Sequence, residues 1–126
     1  MITYHLIDLE NIPVKWTSLI KPDYQDHILI FRLENPNDKN YISLDDFVKF
    51  ANLNLHITII QCKNGKPKMN ALDFQLSSYF GYLIGANVDN SVIIYSNDTG
   101  FDPVIDFWSA KGINVKRVGE NENNGE

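Results

Sequence analysis

Ser91-Val92-Ile93-Ile94-Tyr95 runs directly into Ser96-Asn97-Asp98-Thr99-Gly100-Phe101-Asp102-Pro103, and that join decides the fold. The first five residues are almost entirely apolar, as a strand covered on both faces should be. A polar turn follows, and then Val104, Ile105 and Trp108 fall at helical spacing in a segment expected to run over about 101–110. Gly112 ends it. A doubly covered strand that feeds a helix is the building unit of a parallel sheet.

Working outward, the same alternation recurs. Further apolar, β-branched runs occupy 2–7, 27–33, 57–60 and 113–118. A short, irregular helix is expected over 13–20. A firmer one is expected over 43–52, where Ser43 suits the N-cap, Asp46 stands three residues on, and Leu44, Phe47, Val48 and Ala51 share a face. The longest is expected over about 70–84, with Asn70 as a cap and Leu72, Leu76, Tyr79, Phe80 and Leu83 as its apolar face. The pattern predicts a three-layer α/β/α sandwich around a five-stranded parallel sheet. The runs at 56–59 and 113–118 largely alternate apolar with polar, which suits sheet edges. An order of 3-2-1-4-5 would place them there.

The bulk figures set the bounds. At 126 residues, 44% hydrophobic and 21% charged, the chain has the size and balance of one globular domain. That domain is expected over 1–118, with 119–126 a polar, acidic and unstructured tail or linker. No apolar run approaches the roughly 20 residues that cross a bilayer, and the N-terminus has no basic, cleavable leader, so no membrane partner is expected. A lone cysteine, Cys62, excludes an internal disulfide and fits a cytoplasmic location. The net charge of −5 argues mildly against a nucleic-acid partner. The objection weakens if carboxylates gather in one place around bound cations.

In an open parallel sheet, ligands bind beyond the carboxyl ends of the strands where the strand order reverses. With order 3-2-1-4-5 that point lies between strands 1 and 4. Strand 1 ends in Asp8-Leu9-Glu10-Asn11, and strand 4 ends in the turn holding Asp98, with Asp102 a helical turn further on. Strands lie about 4.8 Å apart, so Asp8 and Asp98 are expected to face one another. Carboxylates that close raise each other's pKa. A hard cation, Mg²⁺ or Mn²⁺, resolves the conflict.

Three stretches carry a resemblance. Asp8-x-Glu10-Asn11, Lys68-x-Asn70-Ala71-Leu72-Asp73-Phe74-Gln75-Leu76 and Ser96 through Pro103 together resemble PIN-like ribonucleases of the NYN type, in the family's order and over nearly the whole chain. The resemblance implies an acidic, metal-holding constellation of Asp8, Asp73, Asp98 and Asp102, with Asn11 supporting it, and hydrolysis of RNA assisted by one or two divalent ions. Many relatives carry an aspartate where Gly100 stands, and Asp102 is the nearest substitute. Lys63, Lys66 and Lys68, with Gly65, would then hold the backbone of single-stranded RNA beside the cleft.

Plainer readings stand beside these. Asp8 could shape an Asx turn. Asp73 occupies the capping-box position relative to Asn70, and Thr99 with Asp102 reads as a second box. His5, His27 and His56 read as ordinary strand residues, Cys62 lacks a partner that would activate it, and Trp16 and Trp108 read as packing. Tyr79 and Tyr82 could stack on bases, with nothing to place them near the cleft. Phe80 and Trp108 could serve a homodimer. Among rival functions, a haloacid-dehalogenase phosphatase wants Asp-x-Asp with Thr or Val after strand 1 and a Ser or Thr where Gln61-Cys62 stands. A degenerate PIN-like fold, kept for RNA binding or protein interaction, would explain Gly100 and the negative charge.

Overall fold

A computed structural model describes residues 2–12, 16–33, 44–64 and 70–120, with Leu44, Asp46 and Phe47 described in their backbone alone. Ser43, the loop expected around 34–41, Lys66, Lys68 and the tail from 121 lie outside the described residues. Strands β1 (Thr3–Asp8), β2 (His27–Leu33), β3 (His56–Cys62), β4 (Ser91–Tyr95) and β5 (Val115–Val118) form one sheet. Helices α1 (Trp16–Leu19), α2 (Leu44–Ala51), α3 (Ala71–Ala86) and α4 (Asp102–Ser109) alternate with them. The order is β3-β2-β1-β4-β5, as expected. All four strand pairs are parallel.

Side chains on a strand alternate between faces, and β1 divides the core accordingly. Leu6 packs with Leu29, Phe31 and Ile94 beneath Leu76, Phe80 and Leu83 of α3. Ile7 packs on the other face with Ile28, Ile30 and Tyr95 against Trp16 and Phe50. The sheet is therefore wound on both sides, with α3 and α4 on one face and α1 and α2 on the other. Phe80 is fully buried and Trp108 packs against the same core as α3, so Phe80 offers nothing to a second chain.

Several details depart from the sequence reading. β3 is longer than the expected run, and His56 through Ile59 are exposed on both faces, Ile59 to 45%. Edge position contributes to this, because each of its residues has a neighbour on one side only, while Ile60 and Cys62 at its end still pack into the core. β5 begins at Val115 rather than residue 113. The last helix starts with a 3-10 turn, Thr99–Phe101, before α4. Among the described residues no helix is long and apolar enough to cross a membrane.

The histidines do more than fill strands. His5 is buried, and its ring nitrogens bond Tyr95 Oη at 2.7 Å and Asp26 Oδ2 at 2.8 Å. Asp26 also accepts the amides of Thr3 and Asp23. Those three bonds hold its pKa below the usual range despite its burial, while burial lowers that of His5. His27 stacks between Tyr4 and His56, each at 4.6 Å, in a ladder across β1, β2 and β3. Burial pushes the Cys62 thiol up to about 11, so it is inert as a nucleophile.

Candidate active site

β1 ends at Asp8 and β4 ends at Tyr95, and the strand order reverses between them. A cavity of about 270 Å³ opens there, lined by Asp8, Glu10, Asn11, Asn70, Ala71, Leu72, Asp73 and Asp98. Three elements supply its carboxylates. Asp8 and Glu10 come from the end of β1, Asp98 from the turn after β4, and Asp73 from the first turn of α3.

Asp8 is almost wholly buried, and Ser96 Oγ donates to its Oδ2 at 2.8 Å. Burial drives its pKa up to about 6, against the opposing pull of Ser96 and the Asn11 amide and with a push from Glu10 and Asp98. The turn after β1 is closed by the Asp8 backbone carbonyl, which accepts the amides of Asn11 at 3.1 Å and Ile12 at 3.0 Å, rather than by an Asx turn, and the Asp8 side chain faces the cleft.

Ser96 itself is fully buried. Its hydroxyl donates to Asp8 and accepts the Asp98 amide at 3.0 Å, so one oxygen links the two opposed carboxylate segments. Sequence reasoning assigns Ser96 no such part; its place between two aspartate-bearing strand ends is the only signal. Asn11 Oδ1 adds a second tie by accepting the Asn97 amide at 3.0 Å. Asn11 thus supports the site by fastening two loops, rather than by bonding a carboxylate through its side chain.

The capping explanation of Asp73 is not the arrangement found. Asn70 takes a left-handed backbone, φ 61, and makes no side-chain cap bond. Asp73 turns to the cleft instead. Burial raises its pKa to about 6, reinforced by the neighbouring Asp98 carboxyl and by the charges of Asp8, Asp98 and Glu10.

Asp102 lies elsewhere. Arg117 Nε meets its Oδ1 at 2.7 Å and Nη2 meets Oδ2 at 3.2 Å, a fork-to-fork pair outside the cavity. That pair holds the Asp102 pKa below the ordinary carboxylate value. Arg117 Nη1 also donates to the Ser96 carbonyl at 2.9 Å. The expected four-aspartate pocket is therefore corrected on two counts. Asp102 is committed to Arg117, and among the described residues no three His, Cys, Asp or Glu side chains close on one point as ligands of an ion. Asp8 Oδ2 accepts from Ser96, and Asp98 Oδ1 accepts the Gly100 amide at 2.8 Å.

Gly100 belongs to that last contact. A Cβ there would come within 2.9 Å of Asp98 Oδ1, so a side chain at 100 requires the Asp98 carboxylate, which accepts the Gly100 amide, to shift. Gly119 is similarly crowded, since a Cβ would meet Arg117 Nη1 and Asn97 Oδ1 at 3.1 Å. The chain leaving β5 thus braces the turn that carries Asp98. Glu120 completes the brace by donating its amide to Asn97 Oδ1 at 2.7 Å.

Lys63 is exposed at the end of β3, where the Gln75 side chain bonds both its backbone groups at 2.8 Å. It is not among the described residues that line the cavity. Tyr79 packs against Phe31 and the core, which leaves Tyr82 as the exposed tyrosine of α3.

The donor set, carboxylate oxygens, suits a hard divalent cation in kind. A family model described as a PIN domain matches residues 2–118. No curated protein and no solved structure matches the chain.

Proposed function

This chain belongs to the PIN-domain family, and from that premise we propose that it is a metal-dependent endoribonuclease acting on single-stranded RNA. The observation that carries this reading is the shared cavity of Asp8, Glu10, Asp73 and Asp98 at the reversal of strand order. Two of its aspartates carry pKa values raised to about 6, and carboxylates so perturbed together mark functional clefts.

Asp8, Asp73 and Asp98, with Glu10 beside them, line one cavity and would have to draw closer together to hold Mg²⁺ or Mn²⁺. Such an ion supplies a nucleophilic water near neutral pH and offsets charge on the phosphate. Ser96 fixes the distance between the segments of Asp8 and Asp98. Asn11 and the Arg117–Asp102 pair hold the loops that bear them. Lys63, Lys66 and Lys68 are proposed to steady the RNA backbone.

The test is cleavage of end-labelled single-stranded RNA with Mn²⁺ or Mg²⁺, with and without chelator. Wild type is expected to cut only when metal is present. Asp8→Asn and Asp98→Asn should be folded and silent. A second reading, a degenerate RNA-binding or protein-interaction module, draws on Asp102 being taken by Arg117 and Gly100 offering no carboxylate. RNA binding without cleavage under either metal would establish it.

A further inference from the structure

We propose that Phe74 is a stacking platform for an unpaired base of the RNA, seated at the mouth of the acidic cleft. The inference rests on the nuclease reading of that cleft and adds how the substrate is gripped.

Phe74 immediately follows Asp73 in the first turn of α3, yet its side chain is 70% exposed. A phenylalanine left in water forgoes about 1.5–3 kcal/mol of burial. Single exposed apolar residues are common, so position must decide the matter. The Phe74 amide donates to the Asn70 carbonyl at 3.0 Å, which sets the two residues one turn apart. Asn70 lines the cavity. Helical side chains tilt toward the N-terminus of their helix, which directs the Phe74 ring toward the turn of Asn70, beside the cavity rather than in its lining. Tyr82, also exposed, lies about 12 Å further along the same stripe.

Charge points the same way. At a net −5, the chain draws little affinity from neutralised phosphates beyond what Lys63, Lys66 and Lys68 would supply. Carboxylates and amides line the cavity beside Ala71 and Leu72, and no cation is among its described lining residues. Contact with base faces supplies affinity without positive charge, and every base has such a face. An aromatic ring beside the reacting phosphate would make single-stranded RNA the substrate, because a paired base has both faces occupied.

The experiment compares cleavage in Mn²⁺ of a labelled homopolymeric RNA with a ribose-phosphate oligomer of equal length that lacks bases. Wild type should prefer the RNA. Phe74→Ala should raise KM for RNA at least about fivefold, the lower end of what one stacked base contributes, with the loss falling on KM rather than kcat. The ratio between the two substrates should move toward one. Phe74→Trp should retain the preference and Phe74→Leu should lose it, since leucine keeps apolar bulk without a ring face. Equal KM for wild type and Phe74→Ala overturns the proposal, as does full activity in Phe74→Leu. It is also overturned if Phe74→Ala turns a dimer into a monomer with KM untouched. Failure of wild type to cut any RNA condemns the nuclease reading instead. Anisotropy with labelled RNA in chelator then tests the stacking alone, where Phe74-dependent binding upholds it and Phe74-independent binding rejects it.

Discussion

Replacing Asp8 by asparagine should remove activity and, at the same time, stabilise the metal-free protein. Folded Asp8 keeps its proton to about pH 6, whereas an unfolded aspartate loses it near pH 4. Between those limits the folded state binds the extra proton, so stability falls as pH rises. The penalty is absent below about pH 4 and complete above about pH 6, where it reaches about 3 kcal/mol. Asparagine is neutral and still offers an oxygen to Ser96 Oγ, so roughly 1–3 kcal/mol of this should return at pH 8, or about 5–10 °C in melting temperature. The assay is thermal unfolding in chelator at pH 8 and near pH 4. Asp8→Asn should melt higher than wild type at pH 8, and the gap should close near pH 4. Adding Mn²⁺ should then raise wild type by mass action and leave the variant behind. A variant less stable than wild type at pH 8, or a gap independent of pH, would refute the idea that the fold bears the cost of an unpaired carboxylate there.

Asp102→Ala should lower RNA cleavage less than about tenfold while Asp98→Asn abolishes it, because one positions a loop and the other faces the cleft; equal losses in single-turnover rates would restore Asp102 to the metal site. Ser96→Ala removes the one side-chain bond that favours ionised Asp8, so the acidic limb of the pH–activity profile should move to higher pH, read as kcat/KM between pH 5 and 8. Gly100→Ala should displace Asp98 from the Gly100 amide and cost about 1 kcal/mol of stability in urea titration. Asp26→Ala strands His5 and the amides of Thr3 and Asp23, and should cost roughly 2–4 kcal/mol at pH 7 by the same measurement. Because the Asp26 pKa is depressed in the fold, its contribution should be present above about pH 4 and fade as pH falls below that.

The sheet order is legible because strand burial leaves a mark on composition. Residues 91–95 are apolar on both faces, while 56–59 alternate, and the first are central and the second at an edge. The place of the site follows from that order, and Asp8, Asp73 and Asp98 line the cavity there with Asn11. What spacing does not reveal is the allocation of bonds. Asp102 stands one turn from Asp98, at a distance that suits a ligand equally well as a partner for Arg117, and Arg117 lies fifteen residues later on another strand. Asn70 and Asp73 fit a capping box in one dimension, but the left-handed turn at Asn70 separates them from that role. Glu10 belongs to the first motif, yet only the cavity shows that it shares the cleft with the aspartate before it. Ser96 is a small hydroxyl in a polar turn, and only the fold shows it buried.

That serine has an evolutionary corollary. One hydroxyl serves Asp8 as donor and the Asp98 segment as acceptor, so substitutions at the three positions cannot act independently. Double-mutant cycles among them should depart from simple addition. A lineage that lost Ser96 would find each acidic partner worth less, and the order in which such changes arose would decide which intermediates survived.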